Sequence, residues 1–311
     1  MELIALSAPW ILFLLTIVAI CLLMFRRRKV AVFLLLLAVT GNWCFQTLPL
    51  NLSYDTDGEL KVLTFNCNLS PKLEDVAKNR TEVARLIWKH DADVVLLTEN
   101  FIVREDSLWL EIQDAYPYRS GKNNSVGNWL YSKYPIECDT LLKEKQMAYG
   151  ITCCQINVNG KRLEFIGVHL SSNNYNEQME YMTPDSVENS VQAKTYLGNV
   201  VTASRYRANE ASLIVNFIDS IKSNKPIPTI VMGDFNDVCG SPTLNVMKEA
   251  GFKDAWWEAG FGYGATIHNP LPYRIDHILY NDMLKLKSIK KIDADKLSDH
   301  DALIGCFEVS K

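Results

Sequence analysis

The chain has 311 residues, 48% hydrophobic and 22% charged, which is enough for one large domain or two small ones and excludes a disordered or collagen-like polymer. The formal net charge is -4; residues 1–50 hold four bases and one acid, so residues 51–311 carry 28 minus 35, or -7. A domain this acidic lacks the global basic footprint of a dedicated nucleic-acid binder, leaving only a local basic stripe for such a role.

From Ile4 to Phe25 the chain runs 22 residues without a charge, where roughly 20 cross a bilayer. After Arg26, Arg27, Arg28 and Lys29 a second uncharged run extends from Val30 to about Leu50, densest in VAVFLLLLAV. Residues 1–50 therefore read as a transmembrane helical hairpin in the cell membrane. A signal peptide would carry its bases before the apolar run, whereas here they follow it. Four bases in the turn between two spans stay on the cytoplasmic side, so both termini and the large domain are expected outside that compartment. The competing reading is a buried helical hairpin of a soluble protein, which the length and purity of the runs disfavour.

The polar stretch NLSYDTDGE, residues 51–59, is a short linker, too short to carry the domain far from the bilayer. Residues 60–311 open as strand, helix, strand: LKVLTFNC, then EDVAKNRTEVARLIWKH with apolar residues at helical spacing, then ADVVLLTE. Further strands are expected over NWLYSKYPI, YGITCCQINV, RLEFIGVHL, IPTIVMGDF, YRIDHILY and ALIGCFEV, and a long helix with Ile214, Phe217, Ile218 and Ile221 on one face. An Asn-rich insertion at 171–189 reads as a lid or surface loop. Many strands and few helices suggest two packed sheets with helices outside. The cysteines show neither zinc spacing nor a compact disulfide framework.

Polar groups recur where these apolar strands end: Asn66 after VLTF, Glu99 after VVLLT, His169 after FIGV, Asp234 and Asn236 after IVMG, Asp276 after YRI, and then the pair Asp299 and His300. A strand that is apolar and then ends in Asp, Asn, Glu or His projects that group at the rim of a sheet, on a rigid scaffold. Each alone has a plain structural alternative as a turn residue, a helix cap or a solvated carboxylate. Gathered on one rim they would make a metal and phosphate site. MGDFND is the sharpest of them, since Gly233 permits a tight backbone between strand and polar pair.

In order, TFNCN, LLTEN, GVHLSS, GDFND, RIDHIL and LSDHDAL resemble the endonuclease/exonuclease/phosphatase superfamily, the DNase I-like group, and GFGYGATIHNPLPYRIDHIL looks like its membrane-anchored bacterial branch. The resemblance implies an α/β four-layer sandwich, two packed mixed sheets flanked by helices, and a divalent-metal-dependent phosphoester hydrolase. It further implies that Glu99 binds the metal with Asn66 beside it and Asp299 completing that side, that Asp234 orients or deprotonates the attacking water, and that Asn236 holds a phosphate oxygen. His300 would contact phosphate or act as base, Asp276 would orient His300, and His169 would donate to the phosphate. Asn68 matches a polar position near the metal in nucleic-acid-cleaving relatives, and Arg274, with Arg205 and Arg207 behind it, is a candidate for substrate contact. Oxygen ligands suit Mg2+, with Mn2+ as the alternative. The substrate stays open between nucleic acid and a phospholipid headgroup or other small phosphoester; a third reading is an inactive membrane scaffold. No protein partner is expected.

Overall fold

The computed structural model of the chain describes residues 2–52, 58–69, 76–101, 108–120, 127–142, 150–173, 186–221, 226–268, 271–294 and 297–309. Two apolar helices open it, α1 (Glu2–Met24) and α2 (Arg28–Phe45), each long and apolar enough to cross a membrane. They approach closely through small residues. Ala5, Ala8, Ala19, Ala31 and Ala38 are buried, and a Cβ on Gly41 would stand 2.5 Å from Leu12 Cδ2. The apolar stretches are only 17% and 11% buried, so the pair is not a core hairpin of the domain.

The second apolar run leaves the helix earlier than its composition suggests. Gln46 turns left-handed at φ 51, and the Asn42 carboxamide oxygen accepts from Thr47 Oγ1 and Leu48 N, both at 2.7 Å. Side-chain bonds to the backbone compete with the helix here, and Pro49 follows. Residues 46–50 therefore form a turn. Leu50 bridges Phe261 and the Asn51 side chain donates to the carbonyls of Trp257 and Gly260, both at 3.0 Å. The expected linker is thus partly anchored; its residues 53–57 lie outside the described residues.

The remaining elements are β1 (Leu60–Leu69), α3 (Val76–His90), β2 (Val94–Asn100), α4 (Leu108–Ile112), β3 (Tyr118–Arg119), β4 (Trp129–Ser132), β5 (Ile136–Leu142), β6 (Ile151–Val158) and β7 (Lys161–His169). Then come α5 (Ser186–Ile221), β8 (Thr229–Asp234), α6 (Pro242–Glu249), β9 (Lys253–Asp254), α7 (Ala255–Ala259), β10 (Asp276–Tyr280), β11 (Leu284–Ile292) and β12 (Ala302–Val309). They build two six-stranded mixed sheets, ordered β11-β12-β1-β2-β4-β3 and β5-β6-β7-β8-β10-β9.

Strand alternation sorts the apolar residues into three layers. Leu60, Val62, Leu96, Phe165, Met232, Ile278 and Phe307 fill the space between the sheets. Phe65, Val95 and Leu97 face out against Val83 and Ile87 of α3, while Ile166, Val168 and Val231 face out against Ile214 and Ile218 of α5 and Met247 of α6. Sheets and helices together make four layers.

One strand expectation changes, and one strand was not expected. NWLYSKYPI is not one strand: β4 pairs with β2 in one sheet and β5 pairs with β6 in the other, with the chain crossing between sheets at Pro135, which has no N–H to give to a strand ladder. The sequence LKLKSIKKI forms β11, an edge strand whose lysines read as a solvated segment and also guard an open edge. Most of the insertion at 171–189 lies outside the described residues.

Candidate active site

Topology brings the polar strand ends to one rim. β1 runs parallel to β2, and β7 parallel to β8, so Asn66, Glu99, His169 and Asp234 all sit at carboxyl ends on the same side. β10 and β12 run antiparallel to β8 and β1, so the groups at their amino ends, Asp276 and His300, arrive at that side too. In register, Asp234 lies beside both His169 and Asp276.

The local backbone is bent to aim these groups. Asn68, Glu99 and Asn236 hold φ of 44, 55 and 51, left-handed values that cost energy outside glycine and cluster at functional sites. Gly233, at φ 137, allows β8 to lie against β7, where a Cβ would fall 2.0 Å from the Val168 carbonyl oxygen. Beneath the rim, Gly167 leaves room for Leu96 of the facing sheet, whose Cδ1 would be 2.4 Å from a Cβ.

The side chains meet between the sheets. The Asn66 amide donates to Glu99 Oε1 and Asp234 Oδ2, both at 3.0 Å. His169 Nε2 lies 3.6 Å from Glu99 Oε1 and 3.8 Å from Asp234 Oδ2, and His300 Nε2 lies 3.9 Å from Asp234 Oδ2. His300 Nδ1 is 2.8 Å from Asp276 Oδ2, whose other oxygen, Oδ1, is buried without a hydrogen bond among the described residues. Asn236 folds back: its N–H donates to Asp234 Oδ1 at 2.8 Å and its amide to the Leu170 carbonyl at 2.9 Å. Asn68 places its N–H 3.3 Å from Asn66 Oδ1, and exposed Asp299 lies at the margin, its charge acting on Glu99 and His300.

Burial raises the carboxyl of Glu99 and that of Asp234, the latter further through Asp276. The two histidines are driven apart. Burial pushes His169 down to about 4, so it is neutral. Burial also works against charge on His300, but Asp276, Asp234 and Asp299 outweigh it and lift the imidazole to about 10.

Three carboxyl groups, those of Glu99, Asp234 and Asp276, are gathered with two imidazoles in a largely buried cluster, and burial works against charge on Glu99 and Asp234 until a cation is present to offset it. Oxygen and nitrogen atoms of Glu99, His169 and Asp234, and of Asp234, Asp276 and His300, converge within 4.8 Å, as coordination requires. The donor set therefore fits a hard divalent metal.

Arg274 is not brought to this cluster. Its guanidinium is buried, donating to Asp254 Oδ2 at 2.7 Å and to Cys239 Sγ at 2.6 Å, with His277 Nδ1 at 2.9 Å. Although burial opposes ionisation, Arg274 and His277 hold the Asp254 carboxyl far below the usual range. An ion pair this enclosed anchors the segment before β10 and leaves no donor directed at the rim, which corrects its expected role in substrate contact. Arg207 is likewise buried, bonded to Asp237 Oδ2 at 3.2 Å, to the Ser171 carbonyl at 3.0 Å and to Asn173 Oδ1 at 2.8 Å, while Arg205 is exposed.

Three further residues support the cluster. Ser298 donates to the Asn66 carbonyl at 2.7 Å and accepts from His300 N at 3.1 Å, tying the two ends of the site together. Thr266 Oγ1 accepts from Asp276 N at 3.1 Å, and Glu210 accepts from the backbone and hydroxyl of Ser171, two residues after His169.

A model of the endonuclease/exonuclease/phosphatase family matches residues 63–300. No curated protein sequence matches the chain. Among solved structures, TDP2 from Caenorhabditis elegans superposes at a TM-score of 0.58 with 15% identity, covering 80% of this chain and 74% of that one. Sphingomyelinase C from Streptomyces griseocarneus gives 0.58 with 17% identity over 81% and 100%. An endonuclease/exonuclease/phosphatase family protein from Leptotrichia buccalis gives 0.54 with 20% identity over 80% and 99%. At these identities the likeness is one of fold.

Proposed function

The chain belongs to the endonuclease/exonuclease/phosphatase family, and on that premise we propose that it is a membrane-anchored, divalent-metal-dependent phosphodiesterase acting outside the cytoplasm. The observation that carries the reading is the buried rim cluster, in which the three carboxyl groups of Glu99, Asp234 and Asp276 converge with Asn66, His169 and His300. A site kept this complete also speaks against an inactive scaffold.

Glu99 and Asp234, with Asn66 beside them and Asp299 at the margin, would hold Mg2+ or Mn2+. When bound, the metal offsets the negative charge that grows on the phosphoryl oxygens. Asp234, hydrogen-bonded by Asn66 and the Asn236 backbone, orients an attacking water and accepts its proton. His300, held as an imidazolium by Asp276, contacts the phosphate and supplies a proton to the departing oxygen. His169, neutral, donates one hydrogen bond to the phosphate, and Asn236 fixes a nonbridging oxygen after release from the Leu170 carbonyl. The basic run Arg26, Arg27, Arg28 and Lys29, in the turn after α1 and the first turn of α2, supports a cytoplasmic turn and an outer catalytic domain.

The test is Mg2+ binding by calorimetry together with hydrolysis of bis-p-nitrophenyl phosphate by the full chain in detergent. Glu99→Gln is expected to weaken metal binding by about tenfold or more, by analogy with the loss of supporting groups in other metal sites. An unchanged metal titration would remove Glu99 from the ligand set, and hydrolysis indifferent to chelator would end the metal-dependent reading.

A further inference from the structure

The loops that shape the catalytic rim are the same loops that hold the apolar hairpin. Residues 260–268 leave α7, bridge Leu50 through Phe261, and donate the Gly262 N–H to the Pro49 carbonyl at 2.9 Å. The segment then reaches the site: Ile267 bridges His300, Asp301 N donates to the Thr266 carbonyl at 2.7 Å, and Thr266 Oγ1 accepts from Asp276 N. The chain returns to the hairpin at Tyr273, whose hydroxyl accepts from Trp10 Nε1 at 3.3 Å, with the rings edge to face. From β8, the chain after Asp234 runs to Gly240, where a Cβ would be 2.6 Å from Phe45 Cδ1.

The third contact comes from α5. Arg207 and Glu210 bind Ser171 and Asp237 just past the carboxyl ends of β7 and β8, which fixes that turn of the helix at rim level. At 1.5 Å per residue, the helix from Ser186 to Tyr206 projects about 30 Å beyond the rim. The helices α5 and α1 are in contact. The open end of the hairpin therefore abuts the loops that shape the catalytic rim, with its basic turn at the far end.

Apolar side chains continue from the hairpin onto this face. Leu48 and Leu50 are 44% and 66% exposed, and Phe261 and Leu271 are 49% and 47% exposed. Water is a poor partner for such a collar, and continuity with two apolar helices names the alternative.

We propose that the catalytic rim opens onto the bilayer that holds α1 and α2, and that its substrate is the phosphodiester of a membrane phospholipid headgroup. This rests on the phosphodiesterase reading above and narrows it. In the reaction a water oxygen bonds to phosphorus as one ester P–O bond breaks. One water proton passes to Asp234 and one proton from His300 reaches the departing alkoxide, leaving an alcohol and a phosphomonoester. The net charge of -7 on residues 51–311 agrees with a substrate other than a polyanionic nucleic acid.

The experiment uses the full chain reconstituted in vesicles of phosphatidylcholine, phosphatidylethanolamine and sphingomyelin with Mg2+. Loss of the lipid phosphodiester signal is followed by phosphorus NMR, beside parallel assays on bis-p-nitrophenyl phosphate and DNA. The proposal expects turnover of vesicle lipid at least tenfold above that of DNA. In Phe261→Glu with Leu271→Glu, the ratio of lipid to soluble-diester turnover should fall at least tenfold. Cleavage of DNA or soluble diester without cleavage of vesicle lipid, or an unchanged ratio in the double variant, overturns the inference and leaves the phosphodiesterase standing. Failure on all three substrates overturns both.

Discussion

His300 and His169 occupy one cluster and are held in opposite protonation states. Asp276, 2.8 Å from His300 Nδ1, is the first of the acids that raise that imidazole to about 10 against the effect of burial. A raised histidine is charged, and its contribution is present, at pH below its ordinary value near 6.5; both are lost as pH climbs through the folded value. The imidazolium therefore sets the decline on the alkaline side, while Asp234, which must be ionised to accept the water proton, sets the decline on the acid side. Asp276→Asn removes that acid and should move the alkaline decline toward acid by more than one pH unit, read from the pH dependence of kcat/KM. An alkaline decline that stays in place would show that His300 is not the group that titrates.

The residues that bear the chemistry were legible because each follows an apolar strand, so that a polar type at a strand end stands out against its neighbours. Ser298 and Thr266 were not, since they work through backbone partners that any hydroxyl side chain could find. Arg207 and Arg274 were misleading for a related reason. Their carboxylate partners, Asp237 and Asp254, are 30 and 20 positions away, so nothing local marks either arginine as buried.

At the scale of elements, α5 is fastened to the sheet edge by charge as well as by packing. Arg207 is fully buried against Asp237, which also accepts from Thr243 Oγ1 at 2.5 Å and from Val238 N at 3.0 Å. Arg207→Met would leave that carboxylate without its counter-ion, and breaking such a pair costs about 3–5 kcal/mol. A correspondingly lower unfolding midpoint is expected; a loss under 1 kcal/mol would mean that the helix is held by its apolar face alone.

β7 carries a second buried acid that takes no part in the rim. Burial raises Glu164 to about 7, with only the Gln155 amide across the strand pair to support its charge. For an acid with a raised folded value, stability is full below its unfolded value near 4.3 and falls as pH rises toward 7. Glu164→Gln should therefore be more stable than the parent at pH 8 by about 1–3 kcal/mol, with the gap closing by pH 5. Denaturation curves at the two pH values that keep the same separation would contradict this assignment. The strand β7 itself was plain in the sequence, whereas β11 and the division between β4 and β5 were not. An edge strand patterned with lysines looks like a solvated segment, and a crossover between sheets leaves no break in hydropathy.

Over the whole molecule, the parallel pairs β1–β2 and β7–β8 and the antiparallel β10 and β12 place six polar strand ends on one side of a four-layer sandwich. The six ordered motifs carried this fold in the sequence because they are the strand ends themselves. The hairpin was legible as two apolar runs, but its attachment was not: Trp10 to Tyr273 and Leu50 to Phe261 join residues more than 200 positions apart. Sequence spacing says nothing about such contacts, and they decide how the hairpin sits against the sandwich.

The most direct test of the account is phosphodiester turnover by the full chain with Mg2+, measured for the parent, Asp234→Asn and His300→Ala at equal, verified folding. Turnover that falls about a hundredfold or more in each variant, and vanishes with chelator in the parent, is the predicted result for groups that move protons at the reacting phosphorus. Turnover in either folded variant that matches the parent would contradict the placement of the active site on this rim.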